Sequence, residues 1–104
     1  MRVTEQAEED IDKQKDYDRK KLAEKIKEKL VNDREKDKIS YIEKSQFGIE
    51  FHRLKLTEEN FNHRIYFDYV NSETVVFAVR HRDYAYTNQD LKEVEKRLKS
   101  INAD

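Results

Sequence analysis

Residues 63–81 read HRIYFDYVNSETVVFAVRH, and the period of this stretch decides the fold. Ile65, Phe67 and Tyr69 alternate with Arg64, Tyr66 and Asp68, and Val75, Phe77 and Val79 alternate with Thr74, Val76, Ala78 and Arg80. That two-residue period is the period of a β-strand. Asn71-Ser72, with Glu73, interrupts it with residues that accept the backbone of a tight hairpin connection. Apolar side chains on both faces of residues 74–79 predict a central strand rather than an edge.

Working outward, Ile49–Leu56 is strand-like but changes phase: Ile49 and Phe51 share one face, Leu54 and Leu56 the other. A bulge or twist near His52 is expected to reconcile them. Downstream, Thr87-Asn88-Gln89-Asp90 resembles a capping box, and Leu91, Val94, Leu98 and Ile101 recur at helical spacing, so residues 88–101 are predicted to form an amphipathic helix. Upstream, Thr4 is a candidate N-cap, with Ala7 and Ile11 one turn apart and Glu8, Glu9 and Asp10 expected near the positive end of the helix dipole. Leu22, Ile26 and Leu30 form a second apolar stripe with Ala23 beside it. Either one long helix runs over residues 5–31, or two helices meet near Asp16 to Asp18. The order of elements gives an α+β fold. One or two N-terminal helices pack on a three- to four-stranded antiparallel sheet, followed by the C-terminal helix. One domain over residues 1–104 is expected, with a charged helical part at 1–38, the sheet at 39–86 and the last helix at 87–104.

Composition narrows the function classes. The 104 residues are 43% charged, yet 22 Lys and Arg nearly cancel 23 Asp and Glu to leave a net charge of −1. No global positive field holds nucleic acid, so any polyanion site must be a local cluster. Leu, Ile, Val and Phe supply 25 residues, enough for a small core. A single Gly and no Pro exclude glycine-rich phosphate loops, and the absence of Cys excludes disulfides, thiolate metal sites and cysteine nucleophiles. No run approaches the ~18 apolar residues of a membrane span, and no secretory h-region is evident, so a soluble cytoplasmic protein is expected.

Arg53 and Lys55 lie at i, i+2 and so on one strand face, Arg64 opens the next strand, and Arg80 and Arg82 end the third. Strand charges commonly form a solvated sheet face. Antiparallel neighbours stand roughly 5–8 Å apart, however, and like charges at that spacing need an anion or an acid among them. Asp68, Asp83 and Glu50 are the internal candidates; a bound phosphate is the external one. In the run Val79 to Tyr86, His81 titrates near neutrality, Arg82 can bind phosphate bidentately, and Tyr84 or Tyr86 can stack a base or serve as a core ring under the last helix. His52, His63 and His81 are scattered and give no metal-ligand spacing. No metal or other cofactor is expected.

The element order, together with Phe51-His52-Arg53-Leu54-Lys55-Leu56, His63-Arg64-Ile65-Tyr66-Phe67, Val75-Val76-Phe77-Ala78-Val79, His81-Arg82 and Tyr86, resembles the RelE/ParE toxin superfamily of bacterial toxin–antitoxin modules. The resemblance is best from Ile49 to Tyr86. It implies a helical hairpin on a twisted antiparallel sheet and a cognate antitoxin partner that wraps an extended or helical segment over it. In the RelE branch it implies metal-independent cleavage of mRNA on the ribosome, by attack of the ribose 2′-hydroxyl on the adjacent phosphorus. Carried over, Arg53, Lys55, Arg64, His81, Arg82 and Tyr86 form the site. Arg64 and Arg82 would stabilise charge, Lys55 or His81 would transfer a proton, and Tyr86 would stack or orient a base. RelE-type ribonucleases are typically strongly basic, a property this chain lacks. The ParE branch implies instead inhibition of DNA gyrase without a nuclease constellation. A third alternative is a non-catalytic domain of the same fold whose cationic face binds an acidic peptide.

Overall fold

A computed structural model describes residues 1–33 and 38–102. The hairpin at its centre joins β4 (His63–Val70) to β5 (Glu73–His81), with Val70 opposite Glu73. Asn71 and Ser72 take φ of 51° and 67°, the left-handed pair that a two-residue turn of the twisted hairpin requires. β3 (Ile49–Leu56) pairs antiparallel with β4, and β2 (Ile39–Lys44) with β3. Between β2 and β3 a 3₁₀ turn over Ser45–Phe47 ends on Gly48 at φ 64°, a left-handed position that the chain's single glycine occupies without a Cβ penalty. A two-residue strand β1 (Arg2–Val3) adds in parallel to β5, so the sheet has five strands in the order β1-β5-β4-β3-β2 rather than three or four. Two residues are too few to show a period, which is why β1 is invisible in the sequence.

The N-terminal helices are two. α1 (Glu5–Asp12) is capped by Thr4, whose hydroxyl accepts from the Ala7 N–H at 3.1 Å, and α2 (Arg19–Lys27) by Asp18, whose carboxylate accepts from the Lys21 N–H at 3.0 Å. Asp18 therefore starts a new helix where a continuous one was the alternative. A π-helical turn over Glu28–Asp33 extends α2. The C-terminal helix α3 (Asn88–Ile101) begins at Thr87, whose hydroxyl accepts from the Asp90 N–H at 3.1 Å. The sequence boundary placed near Lys38 adjoins residues 34–37, which lie outside the described residues.

Helices pack on both faces of the sheet. Ala7, Ile11, Leu22, Ile26 and Leu30 pack with Leu54, Leu56, Ile65, Phe67, Val76 and Val79 on one face, while Leu91, Val94 and Leu98 of α3 pack with Ile49, Phe51, Tyr66, Phe77 and Ala78 on the other. Each buried Leu, Ile, Val or Phe contributes roughly 1.5–3 kcal/mol. This two-sided core explains the change of phase in β3 without a bulge. Its register runs unbroken against β2 from Ile49 to Leu54 and against β4 from His52 to Leu56. Ile49 and Phe51 serve the α3 layer while Leu54 and Leu56 serve the α1–α2 layer. The irregularity falls in β5 instead. Tyr66 pairs with Ala78 but Phe67 with Val76, leaving Phe77 as an extra residue, and Phe77 and Ala78 then both reach the α3 layer.

Asp10 is not a solvated acid near the start of α1. It lies in the last turn, 3% exposed, and seals the edge of β5 beyond β1. Its carboxylate accepts from the Val79 N–H at 3.0 Å, from Arg97 of α3 at 2.6 and 3.1 Å, and pairs with Arg80 at 2.9 Å. Arg97 also donates to the Phe77 carbonyl at 2.9 Å. Backbone groups that an edge strand would leave unpaired are thereby satisfied by side chains from the two flanking helices.

Candidate functional site

Alternation along β3 and β4 places Arg53, Lys55 and Arg64 on the α3 face of the sheet, at the end that α3 leaves open. Arg53 stands opposite Tyr66, and Lys55 opposite Arg64. Arg53 is fixed by two neighbours: it donates to the Ser40 hydroxyl at 2.6 Å and to the Tyr86 hydroxyl at 3.3 Å. Arg64 is only 7% exposed and donates to Asn62 Oδ1 and to the His63 carbonyl, both at 3.1 Å. Burial, with the guanidinium groups of Arg53 and Arg82 close by, holds the Arg64 pKa below its ordinary value. Arg64 thus lies partly desolvated with two further guanidinium groups close by, an arrangement that an anion would relieve. Lys55 is exposed beside Arg64, and Arg82 is exposed with its N–H anchored on the Asn62 carbonyl at 2.9 Å.

Tyr86 completes this set in an unusual backbone state. Its φ is 65°, which costs a non-glycine residue roughly 1–2 kcal/mol. Asp90 offsets that cost: its carboxylate accepts the Tyr86 N–H at 3.0 Å, the Tyr66 hydroxyl at 2.8 Å and Arg80 at 2.7 Å. Burial raises the Tyr86 pKa, against the opposing pull of Arg53 and Arg64, so the phenol stays protonated. Lys44 Nζ stands 5.9 Å from the centre of the Tyr86 ring. Tyr84, by contrast, is 70% exposed, so Tyr86 is the tyrosine of this run that packs against the α3 layer.

The remaining sequence candidates are placed elsewhere. His81 lies on the opposite sheet face: it pairs with His63, their rings 5.3 Å apart, and Tyr17 lies at 6.0 Å. Arg80 is taken up by Asp10 and Asp90 rather than by the three acids singled out in the sequence. Of those, Glu50 bonds the Tyr41 hydroxyl, Asp68 approaches His52 and Asp83 approaches His81. The residues that sequence reasoning missed are Ser40, Lys44, Tyr66 and Asp90. For Ser40 and Lys44 the signal was the alternation of β2, which sets them on the same face as Arg53. Asp90 read simply as part of a cap.

A surface depression of about 490 Å³ lies apart from this site. It lies over the β5 edge, where Asp10, Arg80, Asp90 and Arg97 neutralise one another. Among the described residues no group of three or more His, Asp or Glu side chains converges as a metal site would, and no helix is long and apolar enough to cross a membrane.

Residues 1–86, which carry the whole of the sheet and the cationic set, match the family model described as the ParE toxin of the type II toxin–antitoxin system, parDE. The chain belongs to the ParE toxin family. No curated protein and no solved structure matches it. Family membership places it in the RelE/ParE superfamily, makes it the toxin of a type II toxin–antitoxin pair and implies an antitoxin partner.

Proposed function

We propose that this toxin is a metal-independent endoribonuclease of the RelE kind, acting on mRNA at the ribosome, and that the sheet face bearing Arg53, Lys55, Arg64, Arg82 and Tyr86 holds the scissile phosphate. The observation that carries this reading is the hydrogen bond from Arg53 to the Tyr86 hydroxyl with the guanidinium groups of Arg64 and Arg82 close by, in a chain whose charges nearly cancel as a whole. The 2′-oxygen attacks phosphorus, the bond to the 5′-oxygen breaks, and the products are a 2′,3′-cyclic phosphate and a 5′-hydroxyl. Arg64 and Arg82 stabilise the charge gathered on the phosphorane, and donors of this kind are each worth ~10²–10³ in rate. Tyr86 accepts from Arg53, which leaves its own O–H to donate to a phosphate oxygen or to the departing 5′-oxygen. Lys55, exposed beside Arg64, takes the 2′ proton as the neutral amine, after its ammonium has released a proton to water.

The test is induced expression in a bacterial host with mapping of mRNA 5′ ends. Growth arrest with new 5′-hydroxyl ends, both abolished by Arg82→Ala and by Tyr86→Phe, is the expected result. Arrest with intact mRNA refutes the nuclease. One placement favours a second reading, inhibition of DNA gyrase: His81 faces away, so no imidazole serves the cationic face. That reading predicts relaxed or cleaved plasmid in a supercoiling assay with RNA untouched.

A further inference from the structure

The sheet face packed by α1 and α2 is not covered across its full width. Toward β2, past Leu54, the side chains of Tyr41, His52 and Tyr69 stand together at the surface, Tyr41 54% and Tyr69 48% exposed. The His52 ring stacks on the buried Phe67 ring at 5.5 Å and 25°, and the rings of Tyr41 and Tyr69 flank it at 5.1 and 5.0 Å. Grouped exposed rings of this kind mark interaction surfaces.

Among the described residues, the charged side chains that meet the patch are acids. The Tyr41 hydroxyl is bonded to Glu50, Glu43 pairs with Glu50 across the β2–β3 register, and Asp68 lies 3.6 Å from His52. Glu50, Glu43 and Asp68 all act on the Tyr41 hydroxyl to hold its proton. The cationic set occupies the other face of the sheet.

We propose that this patch is a docking surface for a partner-protein segment that presents an arginine or lysine side chain, the rings of Tyr41, His52 and Tyr69 lining the cation's flank and Glu50 and Asp68 supplying counter-charge. Cations over aromatic faces gain further from nearby carboxylates. A second copy docking by the same face would set carboxylates against carboxylates, and a nucleic acid would bring phosphates to them, so charge complementarity favours a cationic protein segment. Membership of a toxin–antitoxin pair supplies a partner protein, and the patch specifies what that partner must present. The inference is independent of whether the toxin attacks RNA or gyrase.

The intact chain, ¹³C-labelled in its tyrosine and histidine rings, is titrated at low salt with a capped Leu-Arg-Val-Arg-Leu peptide. The same peptide with citrulline for arginine serves as the neutral counterpart. Saturable shifts confined to Tyr41, His52 and Tyr69, with Tyr84 unmoved and the citrulline peptide roughly tenfold weaker, are the expected result, tenfold being about 1.4 kcal/mol. The double variant Glu50→Gln with Asp68→Asn is expected to lose the same factor. Tyr69→Thr, which keeps a strand-forming residue at an exposed position, provides a second variant should the first unfold. Equal binding of the two peptides overturns the proposal. So do shifts at Tyr86 or Tyr84 instead of the patch, stronger binding of a single-stranded oligonucleotide at the same rings, and self-association through them in sedimentation.

Discussion

Replacing Asp10 with alanine deletes one carboxylate and leaves three donors without it: the Val79 N–H in the sheet edge, the Arg97 guanidinium and one arm of Arg80. Breaking a buried pair by removing one partner costs ~3–5 kcal/mol, and an unsatisfied buried N–H costs ~1–3 kcal/mol, in contributions that overlap rather than add. Arg80 keeps Asp90 at 2.7 Å and Arg97 keeps Glu93 at 3.4 Å, so the expected loss sits near the middle of the first range, ~4 kcal/mol. For a domain of this size that lowers Tm by ~15–30 °C, against a total stability of ~5–15 kcal/mol. Asp10→Asn retains an oxygen to accept from Val79 but not the charge, and should fall between the alanine variant and the native chain. Glu9→Ala, one residue away on the exposed side of α1, should change stability by less than ~0.5 kcal/mol. Urea unfolding followed by circular dichroism at neutral pH measures all three. If Asp10→Ala lies within ~1 kcal/mol of the native chain, buried charge is not what holds α1 and α3 to the β5 edge.

His63 is fully buried, hydrogen-bonded to Gln14 at 3.1 Å, and burial together with the nearby charge of His81 pushes its pKa down to about 4. Its unfolded value is near 6.5, so the unfolded chain binds the extra proton first. Stability should be full above about pH 6.5 and fall progressively as the pH drops from there to about 4, by up to ~3 kcal/mol in all. Denaturant titrations at about pH 7, 5.5 and 4.5 on the native chain and on His63→Gln check this, since the variant should lose the slope in that window. Tyr66→Phe removes the hydroxyl that bridges Asp90 and the Tyr86 N–H, and should cost ~1–2 kcal/mol while loosening Tyr86, visible as increased exchange of its amide. Thr87→Ala should cost ~1 kcal/mol through loss of the α3 cap, measured by the shift in urea midpoint at unchanged m.

The helices and the central hairpin were legible because each carries a period longer than its own ends. Leu91, Val94 and Leu98 repeat along successive turns, and Ile65, Phe67, Val76 and Val79 sit on a hairpin whose turn residues announce themselves. The sheet's edges were not legible. β1 is two residues long. The side chains that close the β5 edge are an acid from a run of acids and an arginine from a helix of mixed charge, indistinguishable in sequence from solvated charges until the fold brings them together. Arg53, Lys55 and Arg64 could be set on one face because strand alternation is a local rule, whereas Arg82 and Tyr86 lie beyond the end of β5 and entered the site through the family resemblance. Asp90 could not be found, because its role depends on the unusual φ of Tyr86, which no local pattern signals. Nearness in sequence sets His81 beside Arg82, yet the strand that carries His81 turns its side chain to the other side of the sheet.

Phe77 decides that orientation. By taking up one residue without advancing the alternation, it shifts the parity of everything that follows it on β5. Were the same residues to run from Val76 in strict alternation, His81 would stand on the cationic face and Arg80 would point toward α1 and α2, away from Asp90. An imidazole beside Arg53, Arg64 and Arg82 is therefore governed by whether the strand bulges, and not by whether the sequence contains the histidine. A relative with the same number of residues but a regular strand could carry a His-Arg pair identical to His81-Arg82 and present a different set of titratable groups on that face. A relative that lost the bulge together with one residue would keep the arrangement seen here, so chain length and strand regularity have to be read jointly before a histidine is assigned to either face.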